Sequence, residues 1–206
     1  MIARLVELVA RSTPEGAAWL TAQLGDLVHF APAFASAGRR LGAAPLAVEQ
    51  LDVPWPAVSS ADACGRAALV LAALDRLEPA AHVAFVRDLI RRGEVREREA
   101  VLRVLAAMPD PARFVELAID ACRTNVQTVF EAIACDNAYP ARHFPDPAFH
   151  QLVLKALFVG APVARIDGLA ARITDELVRM VDAYASERRA AGRPVPDDAK
   201  LIARRR

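Results

Sequence analysis

Lysine and cysteine are scarce in this 206-residue chain, which has two lysines and three cysteines. Cys64, Cys122 and Cys135 are odd in number, and no two stand at C-x-x-C spacing. That argues against a disulfide framework and for a reducing compartment. Each thiol sits in an apolar, helix-like run, where inert packing is expected rather than catalysis. No apolar run approaches the roughly 18 residues that span a bilayer. The opening MIARLVELVARS alternates charge with apolar residues and lacks the continuous apolar core of a signal peptide. A cytoplasmic protein without direct membrane insertion is expected. Excess charge of one sign is also missing, since the formal net charge is +1. Phosphate-backbone binding needs a positive face, so nucleic acid is not expected as the main ligand. The closing Ala203-Arg204-Arg205-Arg206 reads as a frayed, solvated terminus.

Motifs of known chemistry are missing too. There is no G-x-S-x-G, Walker-type loop or dinucleotide fingerprint. His143 and His150 stand apart across two prolines, with no Cys pair and no H-E-x-x-H. No metal and no cofactor are expected. No stretch alternates β-branched and polar residues with period two.

What remains is apolar and helical. Hydrophobic residues make up 54% of the chain, enough for a packed core. Ile2, Leu5, Val6 and Val9 repeat at helical spacing. Thr13-Pro14-Glu15 starts a second helix carrying Trp19, Leu20 and Leu24. A third, from Phe30 to Leu41, sets Phe30, Ala33, Phe34 and Ala37 on one face. Residues 42–58 read as a linker broken by Pro45, Pro54 and Pro56, with Trp55 plugging a neighbouring core. Ser59 and Asp62 resemble a capping box at the start of a helix reaching Leu77. Further helices are expected from Pro79 to Gly93, Glu94 to Ala107 and Asp110-Pro111 to Cys122. His82, on an apolar stripe, is expected to be a satisfied core residue.

The fold class is therefore all-α, an irregular array of antiparallel helix pairs. The pairs 61–77/79–92 and 94–107/111–122 begin about 33 residues apart, as in a HEAT-like solenoid. A helical bundle is the alternative. Residues 1–58 form an N-terminal helical segment with linker and 59–206 the main domain, unless the two are continuous.

The most unusual chemistry lies between Thr124 and Gly168. A helix over Val126–Cys135 carries one charge, Glu131, which implies cover on both sides. A helix over Ala148–Val159 is apolar nearly all round. Only Gln151 and Lys155 interrupt it, four apart on a narrow stripe. Lys155 is then buried, with Glu131 its natural partner. Between these helices, residues 136–147 read as a proline-stiffened loop, with Asn137 as a left-handed helix stop. Tyr139, Arg142 and His143 bring a phenol, a cation and a titratable base within five residues.

One reading makes a pocket of Asn125, Glu131, Asn137, Tyr139, Arg142, His143, His150, Gln151, Lys155 and Arg165. In it Arg142 and Arg165 hold an anion and His143 moves protons. The other makes them a polar network locking the loop to the helices. Downstream, Thr174-Asp175-Glu176 starts a long helix to Ala190, and Arg193–Asp197 forms an extended arm before a short last helix.

Several runs together resemble the EboA-domain family: ACRTN at 121–125, VFEAIACDN at 129–137, YPARHFP at 139–145, FHQLVLKALFVG at 149–160, VARI at 163–166 and YASERRAAGRPVP at 184–196. The likeness is strong from Ala121 on. Before that it extends only to helical character. The resemblance implies a small cytosolic protein encoded in Ebo gene clusters of bacteria and some algae. Those clusters also encode a UbiA-type membrane prenyltransferase, a TatD-like hydrolase, a dehydroquinate-synthase-like enzyme, a sugar-isomerase-like barrel and a phosphodiesterase-like protein. They make or move a metabolite, including pigment precursors exported in cyanobacteria. No reaction comes with the family.

The leading expectation is an accessory or binding protein that presents the 136–147 loop to a polar or phosphorylated metabolite or to another cluster protein. The prenyltransferase and the isomerase-like protein are the candidate partners. An enzyme acting on a sugar- or cyclitol-like phosphate is the first alternative, with His143 or Glu131 as acid/base and Arg142, Lys155 and Arg165 holding the anion. A structural helical adaptor without a pocket is the second.

Overall fold

The computed structural model describes residues 1–48, Trp55 and residues 58–203. Pro54, Pro56 and the arginines of the basic tail lie outside the described residues. The fold is all-α, with twelve α-helices among the described residues.

The first three helices wrap a fourth. In α1 (Ile2–Ser12), Leu5, Leu8 and Val9 are buried against α4 (Ala61–Leu74). Thr13 ends α1 and starts α2 (Pro14–Gln23), its Oγ1 accepting from the Gly16 N–H at 3.1 Å. Pro14 has no N–H to leave unpaired there. The apolar face of α3 (Phe30–Leu41) is the one its spacing implies, with Phe30, Ala33, Phe34 and Ala37 buried. Gly65 lets α3 approach α4 closely, because a Cβ at that position would fall 2.1 Å from Leu41 Cδ1.

The only strands among the described residues lie in the 42–58 linker and at its C-terminal edge. Strand β1 (Pro45–Ala47) pairs antiparallel with β2 (Val58–Ser60) in the register Pro45↔Ser60. Pro45 is tolerated because it is the first residue of its strand. Trp55 packs against the core as a plug.

Every residue of α4 except Ala63 is buried, including Asp62 and Arg66. The expected capping box at its start does not form. The Ser60 hydroxyl instead donates to Asp62 Oδ1 at 2.6 Å, and Asp62 is held by two arginines. A reciprocal box forms where α6 (Val95–Val104) begins, between Glu94 and Glu97. Between these lies α5 (His82–Arg92), entered through a 3-10 turn at Pro79–Ala81. His82 is buried, its Nε2 3.0 Å from the Leu77 carbonyl oxygen.

The remaining helices are α7 (Val115–Ala121), α8 (Gln127–Ala134), α9 (Ala138–His143), α10 (Asp146–Val159), α11 (Asp175–Ala190) and α12 (Lys200–Ala203). One face of α6 packs on α4 and another on α8, and α10 joins α8 to α11. The C-terminal arm folds back, since Asp198 Oδ2 accepts from the Val163 N–H at 2.8 Å. One buried apolar cluster runs from Leu5 to Ile202.

Candidate functional site

The segment 136–147 is not an open loop. It contains α9, and Ala138, Tyr139 and Pro140 are buried. Pro140 lies in the first turn, where a missing N–H is tolerated. Asp136 makes the left-handed turn, with φ 49°, so Asn137 is not the helix stop. Asn137 is extended and caps α9, its Oδ1 accepting from the Tyr139 N–H at 3.0 Å. Its Nδ2 donates to the carbonyl oxygens of Leu102 at 3.0 Å and Ala132 at 2.9 Å. One amide thus ties α6, α8 and α9 together.

Tyr139 is equally committed. Its hydroxyl donates to the Pro111 carbonyl oxygen at 2.6 Å. Burial pushes its pKa far above the ordinary value, so the phenol stays neutral. The His143 ring tilts over it, with centroids 4.7 Å apart. Burial, helped by the Arg142 charge, lowers the His143 pKa. Arg142 itself is exposed. Arg172 fastens the far end of α9, donating to the Ala141, Phe144 and Asp146 oxygens while lying over the Phe149 ring.

The expected Glu131–Lys155 pair is absent. Glu131 Oε1 accepts from Gln127 Nε2 at 2.8 Å on a partly open face of α8. Thr128 on the same helix is exposed, so α8 is not covered on both sides. Lys155 Nζ donates to the carbonyl oxygens of Cys122 at 2.5 Å and Thr124 at 2.7 Å, and stands 5.0 Å from the Phe130 ring centroid. The end of α7 explains the choice. A helix C-terminus leaves carbonyls unpaired and carries partial negative charge, which a lysine satisfies.

Lys155 and Gln151 form a ridge between two grooves. The larger, of about 760 Å³, lies among α8, α10 and α11. Asn125, Gln127, Gln151 and Lys155 give it polar lining, and Phe158 and Tyr184 aromatic lining. Phe158 is 72% exposed, although α10 reads in sequence as a central helix. The smaller groove, of about 560 Å³, lies across the ridge and includes Arg123 and Phe144.

The ten candidate residues therefore separate. Asn125, Gln151 and Lys155 share the larger groove. Asn137, Tyr139 and His150 are buried with their polar groups engaged, His150 Nε2 lying 3.0 Å from Thr174 Oγ1. Glu131, Arg142 and His143 line neither groove. Arg165 pairs with Asp136 beside a separate surface cleft of about 670 Å³. That pairing, opposed by burial, raises the Arg165 pKa.

Sequence reading missed Phe158, Arg172 and the buried Asp62–Arg66 pair. The last had a signal: two charges four apart in an otherwise apolar helix. The thiols are quiet, since burial pushes Cys64 and Cys135 up to about 11 and Cys122 up to about 12. Among the described residues, no three His, Cys, Asp or Glu side chains are grouped to hold a metal. No helix among them is long and apolar enough to cross a membrane.

A family model described as metabolite traffic protein EboA matches residues 17–202. The match includes most of the N-terminal half, where the motif runs are silent. No curated protein and no solved structure matches the chain.

Proposed function

The chain belongs to the EboA family, and from that premise we propose that it is a binding protein of an Ebo-type metabolite biosynthesis or export pathway. The groove among α8, α10 and α11 is its binding surface, in place of the 136–147 segment, whose Tyr139 and Asn137 are spent on holding the fold. Exposed Phe158 carries this reading, because an aromatic ring open to water on the wall of a concave, mixed surface is placed to cover the apolar part of a ligand. The ligand has an apolar body lying along Phe158 and Tyr184. Its polar head accepts hydrogen bonds from Asn125, Gln151 and the remaining Lys155 N–H.

Handover to a second cluster protein completes the role, with a UbiA-type prenyltransferase or a sugar-isomerase-like protein as the candidate. A cytoplasmic location fits the three free cysteines. The acid/base alternative gains no geometric support, since His143 and Glu131 line neither groove.

Native mass spectrometry of the chain purified from cells expressing its gene cluster tests the proposal. A bound small molecule, lost on Phe158→Ser substitution, is expected. Recovery of neither a small molecule nor a cluster protein would sink it.

A further inference from the structure

A second polar centre lies along α6. Arg96, Glu99 and Arg103 follow one another at spacings of three and four along that helix, and so share one stripe. Together with Ser59, Ser60 and Asp62 they line a cleft of about 270 Å³ against β1, β2 and the start of α4.

Asp62 and Arg96 are satisfied within one network. Asp62, 1% exposed, takes Arg66 Nη1 at 2.5 Å, Arg96 Nη2 at 2.7 Å and Arg96 Nε at 3.0 Å. Ser60 links into the same group, donating to Asp62 and accepting from Arg96 Nη2 at 3.3 Å. Arg103 is the exception. Its Nη1 is buried and has no hydrogen-bond partner among the described residues. Burial lowers its pKa, while the nearby Glu99 and Asp136 charges act in the opposite direction. A buried guanidinium N–H without an acceptor is among the least favourable polar arrangements in a protein.

The charges lining the cleft balance, with Arg96 and Arg103 against Asp62 and Glu99, but Arg96 is taken up by Asp62. The Ser59 hydroxyl accepts only a long contact from Cys64 Sγ, at 3.9 Å, so its proton is free to donate. The chemistry short of a partner in this cleft is donor chemistry, and the group that supplies it is an anion with several acceptor oxygens.

We infer that this cleft is a small-oxyanion site, in which the Arg103 guanidinium and the Ser59 hydroxyl hold the phosphate or carboxylate group of a metabolite. The site is separate from the groove beside Lys155 and does not depend on it.

Calorimetric titration of the full chain with inorganic phosphate, and separately with malonate, tests the inference. Sodium chloride at matched ionic strength is the control. One of the two oxyanions is expected to saturate at a single site while chloride does not, and which one identifies the head group. Arg103→Met lowers that affinity at least tenfold, and Ser59→Ala lowers it several-fold. Without an anion, Arg103→Met leaves the melting temperature unchanged or raises it, because an unpaired buried cation is removed. Equal weak binding of all three salts overturns the inference, and so does unchanged affinity in Arg103→Met. Should that variant fail to fold, the Arg103 side-chain NMR resonance of the unaltered protein decides. A saturable shift supports the site, and no shift on adding phosphate or malonate overturns it.

Discussion

Lys155 Nζ donates to the Cys122 carbonyl oxygen across 2.5 Å, joining the middle of α10 to the end of α7. The same ammonium reaches the Thr124 carbonyl oxygen. A lysine in a nearly uncharged helix is therefore an interhelical cap. Lys155→Met keeps the stem and removes the donors, leaving two partly buried carbonyls without their acceptor role. A loss of about 1–3 kcal/mol in urea unfolding is expected. Lys155→Arg, with more donors in a rigid plane, recovers part of it. Equal stability of all three proteins would show that water replaces the ammonium at no cost.

Asn137 makes a different prediction because both polar atoms of its side chain are engaged. Asn137→Ala leaves the Leu102 and Ala132 carbonyls and the Tyr139 N–H without a partner in a dry place. A cost on the order of 3 kcal/mol follows for such a network. Tyr139→Phe removes only the bond to Pro111 and is expected to cost about 1 kcal/mol. Chemical denaturation of both variants checks the ranking. A Tyr139→Phe loss larger than that of Asn137→Ala would place the anchor of α9 at its phenol instead.

Asp62 couples stability to pH. Burial opposes its ionisation, but hydrogen bonds from Arg96 and Ser60, with the Arg96 and Arg66 charges, outweigh it and hold the carboxyl below its ordinary 3.8. A carboxyl with a depressed folded pKa stabilises the fold above its unfolded value. That contribution is lost as pH falls through the folded value. Asp62→Asn lacks the charge at every pH and leaves two arginines under-compensated. At neutral pH it is expected to cost about 3–5 kcal/mol. Below about pH 4 the gap between the two proteins narrows. Urea midpoints measured from pH 7 downward check this, and a constant gap would remove Asp62 from the titration.

Local signals were legible in the chain and distant partners were not. Thr13-Pro14 and the face of Phe30, Ala33 and Phe34 lie where spacing and capping chemistry put them, because both act within one helical turn. Asn137 shows the limit. Its side chain could serve a left-handed stop or an N-cap, and the choice was made by carbonyls of Leu102 and Ala132 that no local rule brings near. Lys155 shows it again, since a natural partner on the facing helix lost to carbonyls exposed by the end of α7. Among the candidate site residues, the apolar run of α10 hid Phe158. Composition shows that a helix is apolar all round, but not which of its faces the neighbouring helices leave open.

That open face yields the sharpest functional prediction. Phe158 is 72% exposed, so Phe158→Ser removes little packing. Its effect on stability is expected within about 0.5 kcal/mol, the range of ordinary surface substitutions. A ring that merely happens to be exposed would leave both stability and ligand retention unchanged. A ring that covers an apolar ligand body would leave stability unchanged while retention falls at least tenfold. Lys155→Met differs in both respects, since it weakens the fold as well as the polar end of the groove. Comparing thermal melts with ligand retention for the two variants therefore separates a binding wall from a structural one. Lowered stability in Phe158→Ser would assign the ring to the core and withdraw the groove as the binding surface.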